Sequence, residues 1–200
     1  MGNRREITDV SHAVEDGMIT YKGLPAPVIC DYLSREESRS HYAEGTEFHI
    51  DKIEIVANTG TYVDAPFHRF AGGKDLSELP LGSLADLETI IVRSGQDGER
   101  AIGRDRFEDL GDLVNKAVLV NTGWDANWRT DRWIDSLNID DTKDGKRPVH
   151  TTLLSADIPI AEHLRVLDCL PNRGCKFFAV PVKVRGFGKF PVRAFGVVER

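Results

Sequence analysis

The residues of this chain best equipped for chemistry stand in NTGTYVDAPFH, residues 58–68, where Asp64 is followed four positions later by His68. An aspartate offers a hard oxygen and a histidine an imidazole nitrogen, so the pair suits metal ligation or proton transfer. Pro66 fixes its own φ and biases Ala65 toward an extended shape, which stiffens the backbone between them. The same residues also read more plainly, as an Asp that caps a turn and a His that packs against Phe67. On this segment alone both readings stay open.

Other motifs argue against competing chemistries. GFGKF (186–190) lacks the third glycine and the helix start of a dinucleotide site, and GGKD (72–75) lacks the upstream glycine and the Ser or Thr of a phosphate loop. No Gly-x-Ser-x-Gly elbow is present, which disfavours a serine hydrolase of that type. Cys30, Cys169 and Cys175 form no CxxC pair. They read as small packed hydrophobes in a reducing compartment, with no disulfide framework or zinc ribbon.

The elements that must position Asp64 and His68 are legible as apolar runs. Strands are predicted at 53–57, 89–93, 117–121, 177–184 and 192–198, each bounded by Gly, Asp, Asn or Pro. Their continuous apolar character predicts burial on both faces. A further strand is read at 134–139, beside 117–121. Helices are expected over 105–113, with Asp105 as cap, and over 150–156, with Pro159 blocking continuation. Asp64 then falls in a loop leaving the 53–57 strand. DDTKDGKRP (140–148) reads as a surface loop. Together these give one α/β domain over 1–200 without repeats.

Composition sets the outer limits. Hydrophobic residues are 40% and charged residues 29%, as in soluble globular chains. A net charge of -6 disfavours nucleic acid as a partner. No apolar run is long enough to cross a bilayer, and Glu6 stands where a myristoylation motif needs Ser or Thr. No membrane partner and a cytoplasmic location are expected.

Three separated segments resemble, in order, the cyclase family of metal-dependent hydrolases, which includes bacterial kynurenine formamidase and isatin hydrolase. The first is ITDVSHAVEDGMITYKGLPAP near the start, and the second is Asn58-Thr-Gly60-Thr61-Tyr62-Val-Asp64-Ala-Pro66-Phe-His68. The third runs from HTTLLSADIPIAEHLRVLDCLP into FFAVPVKVRGFGKFPVRAFGVV. The family's hallmark, His-x-Gly-Thr-His-x-Asp-x-Pro-x-His, keeps its Gly, Thr, Asp, Pro and last His here. Its first two histidines are replaced by Asn58 and Tyr62.

The resemblance implies a swivelling β/β/α-type α/β domain, a mixed sheet flanked by helices, in a homodimer or homotetramer. It also implies two metal positions that share Asp64. One used the lost histidines, and Asn58 and Tyr62 make poor ligands, because a phenol must first lose a proton with a pKa of about 10. The other is implied at Asp64, His150 and Glu162, with one zinc or manganese ion lowering the pKa of bound water to about 7. His68 resembles the family's general acid/base, and Tyr62 is then free to hydrogen-bond a developing oxyanion. The expected activity is hydrolysis of a C–N bond in a small-molecule amide or lactam, as in an arylformamidase of tryptophan catabolism. The alternative is a non-catalytic scaffold that binds a small ligand or partner and holds no metal. A metal-free hydrolase built on Tyr62, Asp64 and His68 is a third reading. His12, His41, His49 and His163 are expected to be structural or superficial, and Trp124, Trp128 and Trp133 to pack.

Overall fold

The computed structural model describes residues 4–94, 101–136, 139–140 and 145–199. Its strands are β1 (Arg5–Asp9), β2 (Val28–Leu33), β3 (Ile50–Glu54), β4 (Tyr62–Asp64), β5 (Leu87–Arg93), β6 (Lys116–Asn121), β7 (Ile160–Glu162), β8 (Cys175–Phe178), β9 (Lys189–Pro191) and β10 (Phe195–Glu199). The α-helices are α1 (Arg35–Ser38), α2 (Asp105–Glu108), α3 (Asp131–Ser136) and α4 (Pro148–Ser155). The larger sheet runs β1-β10-β8-β5-β6 and is mixed, antiparallel except for the parallel β5–β6 pair. A second sheet runs β7-β4-β9, and β2 and β3 form a separate ribbon. Among the described residues no helix is long and apolar enough to cross a membrane.

The core lies where the two larger sheets meet. Ile91, Leu119, Cys175 and Phe177 come from the first, and Val63 with Ala65 from the β4 segment. Val10, Leu84, Leu167 and Leu170 fill between them. The 89–93 run is buried as its apolar sequence predicts, whereas β6 is the sheet's edge strand and is only partly covered.

Several expectations need correction. The strand predicted at 53–57 ends at Glu54 and is exposed along its whole length, because the ribbon's only strand partnership is β2 with β3. Asp64 consequently does not sit in a strand-exit loop; it ends β4, the central strand of its sheet. The 177–184 run stops being a strand at Phe178, three residues before Pro181. Residues 192–198 yield a strand only from Phe195.

The 105–113 helix closes at Glu108; Asp105 is its first residue and not its cap. The region read as a strand at 134–139 begins inside α3, and residues 137 and 138 lie outside the described residues. Residues 141–144 of the expected surface loop also lie outside them, but Asp140 is buried. Cys175 is a packed hydrophobe as expected, whereas Cys30 and Cys169 are exposed. All three thiols are free.

Candidate metal centre

The second sheet builds the site through its register. Asp64 lies directly opposite Lys189 on β9, and Tyr62 lies opposite Glu162 on β7. Side chains alternate faces along a strand, so Tyr62 and Asp64 project together and their cross-strand partners project with them. One face of three short strands thus presents two carboxylates, a phenol and an ammonium. α4 brings His150 onto that face, and Pro148 starts the helix without losing a needed donor.

Asp64 is fully buried, and neither of its oxygens makes a hydrogen bond. His150 Nε2 stands 3.3 Å from its Oδ2, and Lys189 Nζ stands 3.2 Å from its Oδ1. Glu162 Oε2 lies 4.0 Å from the same His150 nitrogen. The imidazole is aimed from behind: Asp140 Oδ2 holds His150 Nδ1 at 2.6 Å. That bond puts a proton on Nδ1 and turns Nε2 toward Asp64 and Glu162. Asp140 also accepts from the Val149 and His150 backbone N–H groups at 2.6 and 3.3 Å, supplying the cap that Arg147 does not.

The charges respond to this crowding. The His150 pKa is raised, foremost by its contact with Asp64; burial opposes this, and the bond to Asp140 adds to it. Burial alone would raise the Asp140 pKa, but the bonds from His150 and Val149 lower it overall. Glu162 is pushed up by burial and then by the Asp64 charge.

A hydrogen-bonded file runs behind Glu162. The Tyr62 hydroxyl lies 2.5 Å from Glu162 Oε2 and 2.6 Å from the Tyr21 hydroxyl, which lies 3.0 Å from His163 Nε2. His163 Nδ1 meets the Gly60 carbonyl at 3.0 Å. A carbonyl only accepts, so a neutral His163 keeps its proton on Nδ1 and presents a bare Nε2 to the Tyr21 hydroxyl. Burial lowers the His163 pKa to about 4, which keeps it neutral. Burial, and next the Glu162 charge, raises the Tyr62 pKa well above the ordinary value. Tyr62 therefore stays a phenol. With its hydroxyl bonded to Glu162 and Tyr21, Tyr62 positions Glu162.

His68 sits on a single 3₁₀ turn, Pro66–His68, at the edge of the site. The turn is wedged between two glycines. A Cβ on Gly188 would come within 2.4 Å of the His68 backbone nitrogen, and one on Gly73 within 2.7 Å of the Pro66 carbonyl carbon. Ala65 N–H bonds the Gly188 carbonyl at 2.7 Å, which locks the two segments together. His68 is exposed on one side and faces His150 on the other, with ring centroids 6.0 Å apart. Desolvation, then Lys189, lowers its pKa, so it carries a free base nitrogen near neutrality.

A cavity of about 240 Å³ opens over these groups, lined by Tyr21, Leu24, Asn58, Tyr62, His68, Arg147, His150, Glu162 and Lys189. Asp64, His68 and His150 each offer one ligand atom, all within 4.8 Å of one another. Glu162 is not part of that group, although its Oε2 reaches within 4.0 Å of His150 Nε2. The donor chemistry fits a divalent ion: a buried carboxylate without hydrogen bonds is costly, and a cation removes that cost. Asn58 lines the cavity from a turn.

Sequence reading missed Asp140, Lys189, Tyr21 and the positioning role of His163. His163 packs edge-on to Tyr62 and Trp133. His12 was expected to hydrogen-bond; its side chain instead stacks on Trp128 at 3.7 Å, with Nε2 unpaired among the described residues. Trp128 and Trp133 pack there, outside the cavity lining. His41 is exposed, and His49 pairs with Asp31 and Asp51 in the β2–β3 ribbon.

Asp64, His68 and His150 form a candidate metal-binding group beside this sheet face. The chain belongs to the Cyclase family, described as "Putative cyclase", whose model matches residues 8–164. No curated protein gives a significant match. Among solved structures, an isatin hydrolase bound to the product analogue thioisatinate is similar at a TM-score of 0.79 and 15% identity, over 98% of this chain and 93% of that one. A potential metal-dependent hydrolase with cyclase activity matches at 0.73 and 23% identity, over 98% and 100%. Isatin hydrolase A from Labrenzia aggregata, bound to benzyl benzoate, matches at 0.74 and 18% identity, over 98% and 94%. These similarities establish the α/β fold with its mixed sheet.

Proposed function

We propose that this chain is a metal-dependent hydrolase that opens the C–N bond of an amide or lactam, with an aryl formamide of the N-formylkynurenine type as the leading candidate substrate. The observation that carries this reading is Asp64: fully buried, paired to Lys189 at one oxygen, and facing at the other the Nε2 of an imidazole fixed by Asp140. Asp64, His150 and Glu162 would hold one zinc or manganese ion, which when bound polarises a carbonyl and acidifies water. The similar solved structures, two isatin hydrolases and a potential metal-dependent hydrolase, agree with this reading.

The chain's own residues divide the remaining work. Asp140 orients His150, and Tyr62 with Tyr21 orients Glu162. His68 takes a proton from water at its free ring nitrogen and returns it to the departing amine nitrogen, a role whose removal costs about 10² to 10⁴ in rate. The cavity's modest volume suits a small substrate, and Leu24 gives it an apolar wall.

His68 is also close enough to serve as a third ligand in place of Glu162. Replacing His68 with Ala separates the two roles. A proton carrier leaves metal content unchanged and lowers turnover at least about a hundredfold, whereas a ligand loses the metal with the activity. A chain that takes up neither zinc nor manganese and turns over no formamide or lactam is instead a ligand-binding scaffold. We further propose a homodimer, supported by the apolar side chains that the β2–β3 ribbon exposes, among them Val28, Tyr32, Ile50 and Ile53.

A further inference from the structure

We propose that the Lys189 ammonium is a built-in substitute for a second cation of this site, limiting it to one divalent ion and supplying the remaining positive charge from the protein. The inference rests on the metal-site reading above and assigns a role to a residue that reading does not use.

Lys189 is only 5% exposed, a rare condition for a lysine. Its burial is imposed by register: it opens β9 directly opposite Asp64, so its side chain must rise on the site face. Its Nζ lies 3.2 Å from Asp64 Oδ1, while His150 approaches Oδ2, so the two oxygens of one carboxylate face two different partners. Nζ also lies 4.6 Å from the centre of the Tyr62 ring. Tyr62 is one of the two residues standing where the family motif has histidines. The ammonium thus lies between Asp64 and one of the two exchanged positions.

Charge counting supports one ion and not two. Counted as ionised, Asp64, Glu162 and Asp140 bring three negative charges, and Lys189 brings one positive. One divalent ion leaves the buried group neutral; a second would leave it two units positive. An ammonium beside a developing oxyanion also does part of what a second ion would do there.

Lys189→Met tests this, because it keeps length and burial but removes the charge, and Lys189→Gln provides a second neutral variant should the first fail to fold. Manganese binding to chelator-stripped protein is measured by electron paramagnetic resonance, with melting temperature as the folding control. The parent should bind one ion per chain. Either neutral variant should bind manganese on the order of tenfold or more tightly, since a like charge in a low-dielectric site is gone. Affinities within twofold of the parent, or two ions per parent chain, overturn the role of Lys189 and leave the metal-site reading standing. No binding by the parent or either variant overturns both.

Discussion

Asp140 is the most informative place to perturb the site without touching a proposed ligand. Its Oδ2 lies 2.6 Å from His150 Nδ1, and both side chains are almost wholly buried. A charge-assisted bond of this kind is worth about 1.5–3 kcal/mol. Asp140→Asn keeps a single acceptor oxygen, so either the His150 Nδ1–H or the Val149 N–H loses its partner together with the charge. The bond to the ring weakens, Nε2 becomes a poorer donor, and the imidazole is less firmly aimed. Losing about half of that energy, roughly 1.4 kcal/mol, weakens an equilibrium tenfold. The expected loss of zinc or manganese affinity is therefore about 10- to 100-fold, the range found for the outer partners of ligating histidines. Calorimetric titration of chelator-stripped parent and variant gives the ratio, with a thermal melt to show that α4 is intact. An affinity within twofold of the parent, in a variant that melts normally, would refute the claim that Asp140 prepares His150 as a ligand.

Other outcomes follow from the same geometry. Gly188→Ala brings a methyl group against the His68 backbone at 2.4 Å; it should lower turnover more than metal content, measured side by side by steady-state assay and elemental analysis. Tyr62→Phe deprives buried Glu162 of its 2.5 Å partner and should cost about 1–3 kcal/mol in chemical denaturation. An unchanged midpoint would remove Tyr62 from the support of Glu162. Asp75 accepts from Ser77 and from the Gly186 N–H, which tethers the loop carrying Lys189, and these bonds lower its pKa. A depressed carboxylate contributes stability above its ordinary pKa range that is lost as pH falls through the folded value. Asp75→Asn should therefore melt lower near neutrality and show a shallower loss of stability on acidification; parallel pH–stability curves would contradict this.

Much of the site was legible because its chemistry is local in sequence. Asp64 and His68 lie on one short segment, with Pro66 advertising the stiff turn between them. Family resemblance then supplied His150 and Glu162. What stayed hidden is set by register and by reach. Lys189 sits in a glycine-rich stretch that looks like a failed phosphate loop, and only its pairing opposite Asp64 turns it inward. Asp140 stands in a polar run that reads as solvated loop, yet its carboxylate folds back onto α4. His163 follows Glu162 immediately; its positive φ of 60° turns the ring toward Tyr21, which regular strand alternation does not foresee.

The fold followed the same rule. The 89–93 run is buried on both faces and was plain in its apolar sequence, whereas 53–57 has similar residues but begins in the exposed β3 of the two-stranded ribbon and continues, half-buried, outside any strand. Apolar content alone does not distinguish those two fates; the missing neighbour does.

The account turns on one cation held between Asp64 and His150. A crystal soaked in manganese, with anomalous differences collected, tests that most directly. The account predicts one strong peak per chain about 2.0–2.3 Å from Asp64, His150 Nε2 and Glu162, with Lys189 on the opposite flank of Asp64. No peak there, or one at the exposed Asp31, His49 and Asp51 cluster instead, would contradict it.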